Sequence, residues 1–150
     1  MVFGKNTIKV AGIGLSIVGF IDSVYLTLQK ISGGKIYCGN IGDCNAVNSS
    51  PYAELYGVPI ALLGAGAYAV ILFLFWVEYR SKFWQEYVPL VLFSMTLVGV
   101  IYSAYLTYVE IAILQKICIY CVISAVVMAL LFVAAVIKLL SFNSEVPAHG

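Results

Sequence analysis

Apolar residues gather in four long blocks, Val10 to Leu28, Gly57 to Val77, Tyr87 to Leu114 and Ile117 to Leu140, and the dense polar segments fall between them. A helix needs about 20 mostly apolar residues to cross a bilayer core of roughly 30 Å, so each block is long enough to span. The pattern predicts a single all-α domain over residues 1–150, an integral membrane four-helix bundle with spans near 8–28, 57–78, 87–114 and 117–140. The first block is long for the apolar core of a signal peptide, and no Ala-x-Ala-type cleavage site precedes the polar loop that follows, so it is expected to be retained.

Composition sharpens this reading. The chain is 63% hydrophobic and 10% charged, against roughly 45–50% and 25% in soluble domains. A net charge of +1 with no basic run leaves no electrostatic footprint for nucleic acid. With four spans, Lys5, Lys9, Arg80, Lys82 and Lys138 share one side, whereas Lys30, Lys35 and Lys116 lie on the other. The positive-inside rule then puts both termini in the cytoplasm and all four cysteines outside it.

Gly19-Phe-Ile-Asp-Ser-Val-Tyr-Leu-Thr27 is echoed by Gly99-Val-Ile-Tyr-Ser-Ala-Tyr-Leu-Thr107, and Cys38 and Cys118 share the same offset of 80. The simplest account is two similar helix–loop–helix halves, the first with an expanded loop, each bringing cysteine to one membrane surface.

The cysteines form two local pairs, Cys38-x5-Cys44 in the long loop and Cys118-Ile-Tyr-Cys121 at the start of the last block. At a helix N-terminus the unpaired N–H groups and the dipole favour a thiolate, so Cys118 or Cys121 is expected to be acidified. Exchange needs one mobile and one fixed pair. The loop from Gly33-Gly34 to Gly39 and Gly42 supplies mobility, and the other two cysteines sit three apart on one helical face. Against this stand two inert disulfides stapling the outer face of a non-enzymatic four-span scaffold. Zinc is a poor fit, because Cys38-x5-Cys44 is wider than a usual knuckle, and no metal is assigned.

In these residues the chain resembles the vitamin K epoxide reductase family, including its prokaryotic disulfide-forming members. The resemblance runs through Tyr37-Cys38, the spacing to Cys44, Val47-Asn48-Ser49-Ser50-Pro51-Tyr52, Tyr56-Gly57-Val58-Pro59 opening the second helix, and Cys118-Ile119-Tyr120-Cys121. It implies a bundle holding a quinone near its outer surface, capped by the cysteine-bearing loop and a short half-helix. Cys121 would stand beside the quinone ring with Cys118 as its exchange partner. Cys38 would meet a thioredoxin-like partner, and Cys44 would pass electrons to Cys118 through a transient interloop disulfide. The reaction implied is quinone-dependent thiol–disulfide oxidoreduction in a prokaryotic plasma membrane, supporting protein disulfide formation. The acceptor would be ubiquinone, menaquinone or a vitamin K type quinone.

Ser50 stands where the family places a hydroxyl near the redox centre, and is also an apt N-cap with Pro51 at the first helical position. Tyr56 and Tyr120 are candidate donors to a quinone carbonyl, with Leu55, Leu62 and Phe93 among the candidate walls; by default Tyr25, Tyr56, Tyr105, Tyr108 and Tyr120 make an interfacial belt. Asp22 and Glu110 are acids inside spans, each with a functional and a merely hydrogen-bonded reading, and neither is assigned to catalysis. His149 in the polar tail is read as inert, and the Asn48-Ser49-Ser50 sequon as too near the membrane for use. Vertebrate members that reduce the epoxide carry a Tyr four residues after the second cysteine pair and an Asn shortly before the second helix. Here Ala125 takes the first position and residues 52–56 hold no Asn, so disulfide formation is favoured over epoxide reduction. Only about ten residues follow the last span, so the thioredoxin-fold partner is expected to be a separate protein.

Overall fold

The computed structural model describes residues 4–40 and 42–145; His149 lies outside them. In chain order the elements are α1 (Lys5–Ser32), α2 (Cys44–Asn48), a 3-10 turn (Pro51–Ala53), a hairpin of β1 (Glu54–Leu55) and β2 (Val58–Pro59), α3 (Ile60–Arg80), α4 (Trp84–Tyr108) running into a π-helical segment (Val109–Leu114), and α5 (Ile119–Glu145). Four helices, Asn6–Ser32, Ile60–Arg80, Trp84–Leu114 and Ile119–Ser144, are long and apolar enough to cross a membrane.

The expected opening of the second helix is corrected. Tyr56 (φ 52°) and Gly57 (φ 80°) reverse the chain as the two central residues of a hairpin that pairs Glu54 with Pro59 and Leu55 with Val58. Helix α3 therefore starts at Ile60, directly after Pro59, whose missing N–H costs nothing there. Helix α1 ends on Gly33 in the left-handed conformation, its N–H donating to Gln29 O.

Lipid tails are as apolar as leucine, so helices in a membrane associate through close packing rather than hydrophobic burial. Glycines supply that closeness. A Cβ on Gly12, Gly19 or Gly99 would collide with Phe75, Tyr68 or Met128 respectively. The core they line comprises Tyr68, Ile71, Leu92, Met128 and Leu131, among others. Tyr68 Oη meets Ser124 O (3.1 Å) and Ser124 Oγ (3.0 Å), tying α3 to α5.

The repeated segments behave alike. Gly19 and Gly99 each seat a large side chain of a neighbouring helix. Thr27 donates to Ser23 O (2.7 Å) just as Thr107 donates to Ser103 O (2.9 Å).

At the end of the bundle away from the cysteines, buried Glu78 accepts from Lys138 Nζ (2.5 Å) and pairs with Lys9 (3.7 Å), joining α1, α3 and α5.

Candidate functional site

The loop after α1 is pinned to α2 by one side chain. Asn45 Oδ1 accepts from Ile36 N (2.8 Å) and Asn45 Nδ2 donates to Ile36 O (3.1 Å), copying a strand partner. Asp43 caps α2 by accepting from Ala46 N (3.1 Å). Cys38 and Cys44, both inside the loop that the Ile36–Asn45 clamp closes, form a disulfide with their Cα atoms 6.0 Å apart.

The same loop docks on the turn before α5. Asp43 N donates to Ile117 O (3.0 Å), and Asp43 pairs with Lys116 (3.7 Å). This backbone bond sets the next residues, Cys44 and Cys118, into one buried cluster with Leu26, Ile36 and Val47, both cysteines being 0% exposed. Gly42 makes the approach possible. Its φ is 86°, and a Cβ there would run into Ile117 O. Gly42 thus serves contact as much as the mobility expected of it.

Cys118 and Cys121 are free thiols, Cys118 buried and Cys121 half-buried. Val122 N donates to Cys118 O (3.1 Å), so Cys118 opens α5, while Cys118's own N–H donates to Glu110 Oε2 (3.2 Å). The expected acidification falls on Cys118. A hydrogen bond from the Cys121 thiol holds it below the ordinary thiol value, against burial and the charge of Glu110.

Tyr120 donates to Tyr37 O (2.8 Å), and its ring lies 5.3 Å from that of Tyr25, whose hydroxyl accepts from Tyr37 N (3.5 Å). The pair fastens the loop beside Cys38.

Of the residues singled out from the sequence, the four cysteines and Tyr120 come together. Ser50 is buried and precedes Pro51, but its hydroxyl makes no cap bond. Ala53 N–H already bonds to Ser50 O (3.0 Å), so the hydroxyl donates backwards to Val47 O (2.7 Å). Tyr56 is 99% exposed on the hairpin tip and is not brought to the cysteines. Nor are the suggested walls: Leu55 and Leu62 are exposed, and Phe93 stacks on Phe132. Asn48 is turned inward, donating to Leu26 O (3.4 Å) while its carbonyl accepts from Lys30 (2.6 Å). Asp22 is buried with Oδ2 unpartnered.

Glu110 is the residue that sequence reasoning left without a role. The signal available was its place eight positions before Cys118 at the end of a span, the offset that a bulged helix end and a tight turn convert into contact.

The sequence profile described as the vitamin K epoxide reductase family matches residues 10–136. Thiol-disulfide oxidoreductase LTO1 of Arabidopsis thaliana is 29% identical over 127 aligned residues, covering 77% of this chain and 32% of that protein. The chain thus spans about a third of the length of the curated relative it matches. The family match takes in both cysteine pairs and most of all four apolar helices, so the chain is an integral membrane protein that belongs to the vitamin K epoxide reductase family.

Proposed function

We propose that the protein is a membrane thiol–disulfide oxidoreductase that passes electrons from a thioredoxin-fold partner through Cys38/Cys44 to Cys118/Cys121 and on to a quinone, supporting protein disulfide formation. The observation that carries this reading is the shared burial of Cys44 and Cys118 beneath the Asp43–Ile117 backbone bond, with one pair oxidised and the other reduced.

The partner's dithiol reduces the Cys38–Cys44 disulfide at Cys38, beside exposed Tyr37. Cys44 thiolate attacks Cys118 of an oxidised inner pair, forming a Cys44–Cys118 bond and releasing Cys121 as thiolate. Cys38 then attacks Cys44, restoring the outer disulfide and freeing Cys118.

The residues at Cys121 fit a quinone: a half-buried thiol on an apolar helix, next to the Tyr25 and Tyr120 rings and the apolar cluster around Cys118. When bound, a quinone supplies a two-electron, two-proton acceptor. Cys121 would face it, Tyr120 would orient the loop over it, and Ser50 would act through the Val47 carbonyl it holds, while the exposed Tyr56 has no part in this arrangement. Lys9, Arg80, Lys82 and Lys138 all lie toward the end of the bundle away from the cysteines, which favours an extracytoplasmic site and cytoplasmic termini in a prokaryotic plasma membrane.

The test is quinone reduction by the purified protein in detergent with a dithiol donor. Expected are turnover by wild type, none by Cys121→Ala, and, for Cys38→Ala, turnover with a small dithiol but not with a thioredoxin-like protein. Equal inactivity of all three, with disulfides that survive the dithiol, refutes the relay.

A further inference from the structure

Glu110 is 4% exposed, and none of the ion pairs among the described residues involves it. An acid in that setting inside a membrane is costly to bury, which marks it as a functional candidate. It sits in a six-residue π-helical segment, a deformation often found at functional sites. The distortion continues through Lys116 N–H donating to Glu110 O (3.1 Å) and Gln115 in the left-handed conformation (φ 51°). Together they fold the chain back so that one carboxylate oxygen receives the Cys118 N–H at 3.2 Å. The Cys121 thiol, one turn along the helix from Cys118, also acts on the carboxyl, so the group responds to both members of the pair, through the backbone of one and the sulfur of the other.

We propose, building on the relay above, that Glu110 is the catalytic acid–base of the Cys118/Cys121 pair, taking the Cys121 proton when the dithiol is oxidised and returning it when the disulfide is reduced. Cys121 S–H gives its proton to the carboxylate, and the resulting thiolate attacks one sulfur of an acceptor disulfide. The acceptor S–S bond breaks, its leaving sulfur takes that proton from the Glu110 carboxyl, and a Cys121–acceptor disulfide forms. Cys118 gives up its proton as it attacks the Cys121 sulfur of that bond, and the second acceptor sulfur leaves with that proton as a thiol. Two thiols are oxidised, one disulfide is reduced, and both protons end on the acceptor.

The ionisable groups facing the carboxyl are Cys118 and Cys121. Beyond them stands Tyr120, within electrostatic reach of Tyr25, Asp22 and Cys118, and over the turn lies the Asp43–Lys116 pair. Among the described residues Asp22 on α1 acts on Tyr120 and Asp43 on the loop pairs with Lys116, and neither acts on the Glu110 carboxyl.

The test uses the full chain with Cys38→Ser and Cys44→Ser, reduced, in detergent, with oxidised dithiothreitol as acceptor. Disulfide formation between Cys118 and Cys121 is followed by quenching with a maleimide-polyethylene glycol and gel shift. Glu110→Gln keeps an oxygen for the Cys118 N–H but accepts no proton. It is expected to slow oxidation at pH 7 by about 100-fold or more, the gap closing as pH rises and solvent removes the proton instead. Glu110→Asp, which keeps an acid, is expected to retain the parent's pH profile at a reduced rate. A Gln variant within about threefold of its parent at pH 7, or slowed equally at every pH, overturns the proposal. If the Gln variant does not fold, an Asp variant whose rate simply tracks thiol ionisation overturns it as well. The assay contains neither quinone nor protein partner, so its outcome stands apart from that of the quinone assay.

Discussion

Replacing Gly42 with Ala should uncouple the two cysteine pairs while leaving each intact. At φ 86° a non-glycine residue costs about 1.5 kcal/mol. The new methyl group points at Ile117 O, the acceptor of the Asp43 N–H bond, whose loss adds about 1 kcal/mol. A combined penalty near 2.5 kcal/mol, at about 1.4 kcal/mol per decade, reduces the docked loop roughly 70-fold. The assay takes the Cys38→Ser/Cys121→Ser variant, in which only Cys44 and Cys118 remain, and follows their crosslinking under a mild oxidant. The parent should crosslink readily and the Gly42→Ala version about 70-fold more slowly, with unchanged helix content. Rates within threefold of each other would refute the claim that the Gly42–Ile117 contact holds the two cysteines together.

Asn45→Ala removes both bonds to Ile36, about 2 kcal/mol of preorganisation for the Cys38–Cys44 ring. Titration against a dithiothreitol redox buffer should show that disulfide roughly 40 mV more easily reduced. Cys118 ionises below the ordinary thiol range because of the Cys121 hydrogen bond. The ultraviolet absorbance of the Cys118 thiolate should therefore appear at a lower pH than that of a free thiol, and Cys121→Ala should move its appearance upward. The sign follows the depressed value: the reduced form gains stability that is complete above the unfolded thiol pKa and is lost as pH falls through the folded one. Glu78→Gln leaves Lys138 and Lys9 facing an uncharged amide and should cost about 3 kcal/mol, read as a lower melting temperature in detergent with the Cys38–Cys44 disulfide unaffected.

The spans were legible because lipid imposes a length and a polarity that sequence displays directly. Their ends were not, since each is set by a local device. The second helix waits for the Tyr56–Gly57 turn, a two-residue ladder too short to show any period, and a tyrosine at positive φ carries none of the Asn-Gly signature of such turns. The third runs into a π-helical segment that apolar content cannot reveal. In the site, the local cysteine pairs could be read from spacing, whereas the meeting of Cys44 with Cys118 depends on a bond between residues 43 and 117. Ser50 was legible as a position but not as a geometry, because competition for the Ala53 N–H decides where its hydroxyl goes. Glu110 and Glu78 look alike in sequence, acids near the ends of apolar runs, yet one faces two thiols and the other two lysines.

The four sulfurs differ in their access to water. Cys44 and Cys118 are sealed, and Cys38 and Cys121 are partly open. Wired in the order 38, 44, 118, 121, they form a conductor with insulation around its middle and bare metal only at its terminals. A protein thiol arriving from solution can touch an end but is too bulky to tap the junction, so current that one protein draws at one terminal has to have entered at the other.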